Sequence, residues 1–329
     1  MNLYEQQAAN RRKTWLIMIA FVVFLLILGL GFDALYVGAA GGYVPIGTVA
    51  ALGVGSVSAL ASYYNGDRAV LAATAARPIE ELAAGAGEAD MLKFRQLENI
   101  VDEMAIAAGL PRPRVYVVPD ADPNAFATGR GPERSSIAVT RGLLDTLDRE
   151  ELQGVVAHEM SHIRNLDIRV MTVVAALVGA IVLLSDWARR GMRWGGGSRR
   201  RDGGRGSGTG GAGGIVAIVF LVIWMVAIAL APFLAQMLAM MVSRRREYLA
   251  DASGAELTRN PIGLAHALEK IEGAVAPAVA VKRGSAHLCI TDPLGRRMNI
   301  KEGFWSDLFA SHPPMAARIA ALKAMAFEG

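Results

Sequence analysis

The apolar residues of this 329-residue chain are gathered into four long runs: Trp15–Leu30, about 44–61, about 168–184, and Ile215–Val242. These runs restrict the fold more than any other feature. In lipid every backbone N–H and C=O must be satisfied within the segment, and a helix of about 20 apolar residues does this. The first run follows Arg11, Arg12 and Lys13, a basic start that a signal peptide also has. The second run comes so soon after it that the two read better as a transmembrane hairpin. The connector at 31–43 has no Lys or Arg, whereas Arg68 and Arg77 follow the second run. The positive-inside bias therefore predicts that the N-terminus and the chain after residue 65 face the cytoplasm.

Charge and cysteine content exclude several classes. The net charge is only +4, and the arginines sit beside apolar runs without interleaved aromatics, which argues against a nucleic-acid surface. Cys289 is the single cysteine, so neither an intrachain disulfide nor a thiol metal cluster can form.

Between the second and third runs the pattern is that of a soluble α+β segment. Apolar residues at helical spacing run from Glu88 to Ala108 and stop at Gly109, before Pro111. Short strand-like stretches follow at Arg114–Val118, Ala125–Thr128 and Ser136–Thr140. Asp148 and Glu151 form a capping box that opens a helix carrying HEMSH, residues 158–162, with no stop signal before the third apolar run. A Gly/Arg-rich linker covers 188–214. Beyond the fourth run, Asn260 and Pro261 read as N-cap and first position of another helix.

HEMSH is the feature with the most chemical content. His158 and His162, four apart, share one helix face and can reach one ion. Glu159 lies about 100° round the helix, beside that ion, where its carboxylate can take a proton from water. A catalytic metal needs a third protein ligand. Asn165 and Ile168 stand where a metzincin has Gly and His, so that branch is rejected. His266, His287 and His312 remain, as do carboxylates. Glu247 in REYLAD is the favoured candidate, since Asp251 lies four residues on and could hold a ligating imidazole by its second nitrogen. Small residues there (Ala250, Ala252, Gly254, Ala255) permit close approach to the HEMSH helix. The bland alternative is that Glu247 follows three arginines as a solvated charge.

HEMSH, REYLAD and the flanking hydropathy, with NAFATG at 124–129, AHLCITDPL at 286–294 and SHPPMAARI at 311–319, resemble the HtpX-type membrane metalloproteases, relatives of the zinc-dependent CAAX prenyl endopeptidase. The resemblance implies one zinc ion per chain on His158, His162 and Glu247, with Glu159 as general base and Asp251 supporting the ligands from behind. It also implies that Asn124 meets substrate backbone and that His312 lies near the oxyanion. From the residues themselves, a peptide substrate could add as a strand beside Ala125–Thr128, making Ala125 and Phe126 candidate substrate contacts.

The expected fold is α+β: a mainly helical integral membrane protein with about four spans and a cytoplasmic, gluzincin-like zincin domain carrying a small sheet. The expected segments are a hairpin at 1–64, catalytic segments at 65–166 and 243–329, and a second hairpin at 167–242 containing the linker. The expected activity is zinc endopeptidase action on misfolded or surplus proteins of the bacterial inner membrane, in contact with the bilayer and with self-cleavage at the linker. A dedicated prenyl-type peptidase and a scaffold without catalysis are the alternatives. Both spans of the second hairpin would put seven linker arginines outside, against the positive-inside bias, whereas a shallow re-entrant pair would keep it.

Overall fold

The structure is a computed structural model that describes residues 3–33, 45–178, 244–274 and 314–328. The described residues are mostly helical with one small mixed sheet. Helix α1 (Leu3–Phe32) and helix α2 (Ile46–Ala73) carry the first two apolar runs, and both extend beyond them. Each is long and apolar enough to cross a membrane. Only 33% and 17% of their most apolar windows are buried, unlike core helices, and Leu16, Ile19, Val23, Ile27 and Val57 point outward. The fourth run and the linker lie outside the described residues.

The chain divides into two compact units. One contains Leu16–Ala61 and Leu177–Leu238. Within it, Asp33 accepts the backbone N–H groups of Gly47 and Thr48 at 2.7 Å each, capping the start of α2. A Cβ on Gly29 would stand 2.6 Å from the Gly47 carbonyl, so only glycine permits this approach of α1 and α2.

The other unit contains Met1–Trp15, Ser62–Ala176 and Ala239–Gly329. It is built on strands β1 (Arg77–Pro78), β2 (Arg114–Val118), β3 (Ala125–Gly129) and β4 (Ser135–Thr140), in the order β1-β2-β4-β3. β2 and β4 are parallel, the other pairs antiparallel, and β3 is an edge. Strand alternation sorts side chains between two cores. Val115, Val117, Ala125, Ala127, Ile137 and Val139 face the larger one, with helix α4 (Glu88–Ala108), helix α6 (Arg149–Arg164) and helix α9 (Pro261–Gly273). Phe126 and Ala138 face the other, with Val70 and Leu71 of α2 and Met171 and Ala175. Two shorter helices, α3 (Ile79–Ala83) and α5 (Arg141–Thr146), flank the sheet.

Gly109 ends α4 in the left-handed conformation, φ 65°, as its position after the apolar repeat predicts. Asp148 and Glu151 form both halves of the capping box on α6, and the Asn260 side chain accepts the Gly263 N–H at the start of α9. One expectation fails. α6 does not run on into the third apolar run but ends at Arg164; Asn165 caps it, Leu166 takes φ 60°, and residues 167–178 form a separate helix, α7. No Gly or Pro marks this break, and a left-handed Leu costs about 1–2 kcal/mol. The Asn10 amide donates on either side of it, to the Asn165 carbonyl and to Asp167 Oδ1.

Helix α8 (Arg244–Thr258) packs on α6, and helix α10 (Met315–Glu328) packs on α9. A Cβ on Gly254 would meet the His158 backbone N at 3.0 Å, and one on Gly154 the Leu264 backbone at 2.9 Å. The small residues of α8 thus bring Glu247 against the HEMSH turn.

Candidate metal centre

His158 and His162 stand one above the other on α6, their rings 4.8 Å apart and nearly perpendicular. Their Nε2 atoms are 3.2 Å apart, and the Glu247 carboxylate oxygens lie 3.7 Å from each. All three residues are buried. A tetrahedral ion with ligand bonds of about 2.0–2.2 Å has roughly 3.3–3.6 Å between donors. Two imidazole nitrogens and a carboxylate at these spacings therefore fit one ion, and the three residues could hold it.

Both imidazoles have a carboxylate at the second ring nitrogen, which fixes the ring and leaves Nε2 for the ion. His158 Nδ1 lies 2.9 Å from Asp251 Oδ1. His162 Nδ1 lies 3.1 Å from Asp167 Oδ2. Asp251 is gripped in turn by Arg318, whose Nε and a terminal nitrogen donate at 2.8 and 2.7 Å. Another terminal nitrogen of Arg318 reaches Glu247 at 3.5 Å. Burial would raise Asp251, but the Arg318 charge and hydrogen bonds outweigh it and hold the carboxyl down at about 2. Asp167 is likewise lowered against burial, by His162 and Arg246. Burial would lower His162, but the Asp167 hydrogen bond and the charges of Glu247, Asp167 and Glu159 raise it to about 9.

Glu159 is buried beside both histidines. Burial raises its proton affinity, opposed by His158 and His162, and its carboxylate accepts the Ala127 N–H of edge strand β3. The neighbouring outward amides of β3 are also engaged: Ala125 N–H by Asn124 Oδ1 at 3.0 Å and Gly129 N–H by Thr172 Oγ1 at 3.0 Å. The general-base candidate and the outer strand of the sheet, itself buried, are thus directly joined.

A model of Peptidase family M48 matches residues 91–326. The chain belongs to peptidase family M48. Its relatives include the Protease HtpX homolog of Caldanaerobacter subterraneus subsp. tengcongensis, 42% identical over 324 residues, 98% of each chain. That of Streptococcus thermophilus is 40% identical over 323 residues, 98% of this chain and 100% of its own. The crystal structure of S. mikatae Ste24p overlaps 97% of this chain and 67% of its own at TM-score 0.44 and 16% identity, too remote to bear on the chemistry. The chain is therefore an HtpX-type M48 metalloprotease, membrane-associated, with polypeptide substrates.

The residues named from the sequence of this M48 protease are distributed unevenly. His158, Glu159, His162, Glu247 and Asp251 come together in one buried cluster. Asn124 and Ala125 line the same edge, whereas the Phe126 side chain turns to the opposite core. His312, like His287, lies outside the described residues. Among the described residues, three side chains at the site receive no role from the sequence: Asp167, Arg246, which donates to it at 3.2 Å, and Arg318, although Arg246 opens REYLAD and Arg318 lies within SHPPMAARI. Asp167 follows His162 by five residues, a spacing that a straight helix would turn away from the ring. Arg246, after two other arginines at the end of the fourth apolar run, reads as membrane-flanking charge.

Proposed function

We propose that this chain is a zinc endopeptidase of the bacterial cytoplasmic membrane that spans it four times and cuts cytoplasmic parts of misfolded or surplus membrane proteins. The observation that carries the zinc reading is the buried His158–His162–Glu247 triangle, backed at both imidazoles by carboxylates. Zinc, when bound, would supply a Lewis acid that polarises the scissile carbonyl and acidifies the attacking water. Glu159 takes that water's proton and passes it to the leaving amine. Asp251 with Arg318 holds His158, and Asp167 holds His162, so neither ring has to reorient during the reaction.

A substrate strand adds along β3, taking over the amides now engaged by Asn124, Glu159 and Thr172. Asn124 then turns to the substrate backbone, Ala125 and Phe126 offer main-chain groups, and His312 stands near the oxyanion. The cytoplasmic orientation is supported by Asn10 and Thr14, buried in the catalytic unit just before the first span and flanked by basic residues. Four spans would place the Gly/Arg linker on the far side of the membrane, so self-cleavage there is expected in detergent, where no bilayer separates the linker from the site.

The test uses the full chain purified in detergent under chelation, with zinc added back. The unmodified protein is expected to cut an unfolded test protein, and Glu159→Gln to do so about 10²–10⁴-fold more slowly. Equal rates for the two would overturn the mechanism. A cytoplasmic tail should be cut faster when attached to its span than when freed from it; equal cutting would remove the membrane-substrate reading.

A further inference from the structure

Residues 7–14 of α1 precede the first apolar run and, as sequence, offer only a polar start to a span. The structure gives them a more specific surrounding. Where α6 breaks at Asn165 and Leu166, its last carbonyls lose their intrahelical partners. Two side chains three apart on α1 donate to them. Gln7 Nε2 reaches the Arg164 carbonyl at 2.8 Å, and Asn10 Nδ2 reaches the Asn165 carbonyl at 2.9 Å.

The Asn10 amide also donates to Asp167 Oδ1 at 2.8 Å, and it does so while 4% exposed, as is Asp167 at 3%. The other oxygen of Asp167 is the one that faces His162 Nδ1. A single primary amide therefore bridges both sides of the left-handed Leu166: the carbonyl before it and the carboxylate after it. Arg246 of α8 approaches the same Asp167 oxygen from a third element at 3.2 Å.

We propose that Asn10 is a positioning residue for the metal centre, and that the pre-span turns of α1 strap the α6–α7 corner so that Asp167 presents its free oxygen to His162. The inference rests on the His158–His162–Glu247 reading of the site. Its physical basis is geometric. Asp167 is the first residue of a new helix, and its direction depends on a corner that its own backbone conformation disfavours. Without Asn10, one corner carbonyl and one carboxylate oxygen lose a buried donor, and the corner relaxes toward a continuous helix. In a straight helix the residue at 167 leaves the His162 face. The His162 ring then loses its fixed orientation, although no ligand has been changed. The strap also makes the N-terminal segment, 155 residues away in sequence, part of the zinc-binding apparatus of the folded chain.

The experiment measures zinc affinity by competition with a chelating dye, on the full-length protein in detergent, for the unmodified chain and three variants. Asn10→Leu keeps the volume and removes the donor; Asn10→Gln keeps the donor; Thr14→Val alters a buried residue one turn on, whose hydroxyl donates to the Asn10 backbone carbonyl within α1. The cobalt-substituted absorption spectrum reports the geometry of the site. Asn10→Leu is expected to bind zinc about 10–100-fold more weakly with a changed cobalt spectrum, the usual effect of losing an outer hydrogen-bond partner. Asn10→Gln should recover part of the affinity, and Thr14→Val should match the unmodified chain. Unchanged affinity in Asn10→Leu would overturn the proposal, as would an equal loss in Thr14→Val. If Asn10→Leu does not fold, Asn10→Ala, which also removes the donor, is compared with Thr14→Val: weaker zinc binding with a changed cobalt spectrum in the first alone supports the strap, and matching spectra overturn it. Failure of the unmodified chain to bind zinc would instead strike the metal-site reading itself.

Discussion

The two imidazoles of the site have the same neighbours in kind and different ones in construction. Behind His158, Asp251 is clamped by the fully buried Arg318 through two parallel hydrogen bonds. Behind His162, Asp167 is shared between the neutral amide of Asn10 and the less closely held Arg246. The first arm is a charge pair drawn from the C-terminal helix. The second is a distributed network drawn from the N-terminal helix, the α6–α7 corner and α8. An interior charge pair is rigid but intolerant of losing one partner, because the survivor stays buried and uncompensated. A carboxylate with several partners of mixed kind loses less with each.

The largest expected difference follows from that contrast. Arg318→Met should destabilise the protein by about 3–5 kcal/mol in chemical unfolding of the metal-free chain. Arg246→Met should cost clearly less, since Asp167 keeps Asn10 and His162. Equal losses would break the comparison. Next, Asp167→Asn and Asp251→Asn should each weaken zinc binding about 10–100-fold in chelator competition. Only Asp251→Asn should also lower the unfolding midpoint strongly, because it strands Arg318.

The pH dependence separates the arms further. Asp251 is held at about 2 against an ordinary value of 3.8, so its share of stability is present above the ordinary value and is lost as pH falls toward 2. Arg318→Met should remove that share and make unfolding set in at higher pH. His162, raised to about 9, must shed a proton to bind a metal. Zinc affinity should therefore weaken by about tenfold per unit as pH falls below 9, and in Asp167→Asn the weakening should begin at lower pH, because His162 has lost a partner that raises it. The smallest effect belongs to the approach of α8. Gly254→Ala should cost about 1 kcal/mol through its contact with the His158 backbone, while Gly273→Ala, with open space around it, stays within about 0.5 kcal/mol in the same assay.

Much of this was legible in the sequence where the signal is local. The strand at Arg114–Val118, the helix ending at Gly109, the Asp148 capping box and the Asn260–Pro261 start all follow from residues within one turn of each other. HEMSH and the Glu247–Asp251 pair are local in the same sense. The rest depends on contacts that no periodicity records. Asn10 meets Asp167 across 157 residues, and Arg318 meets Asp251 across 67. The corner at Leu166 is hidden for a different reason: its left-handed backbone has no glycine to announce it and stands only because side chains from elsewhere occupy the groups it exposes.

The most direct test of the account is X-ray absorption at the zinc edge on the loaded full-length protein. One zinc per chain is expected, with nitrogen and oxygen ligands at about 2.0–2.1 Å and the outer-shell scattering of two imidazoles. Glu247→Ala should lose an oxygen while keeping both rings. A sulfur ligand, or a spectrum of Glu247→Ala identical to that of the unmodified protein, would contradict the account.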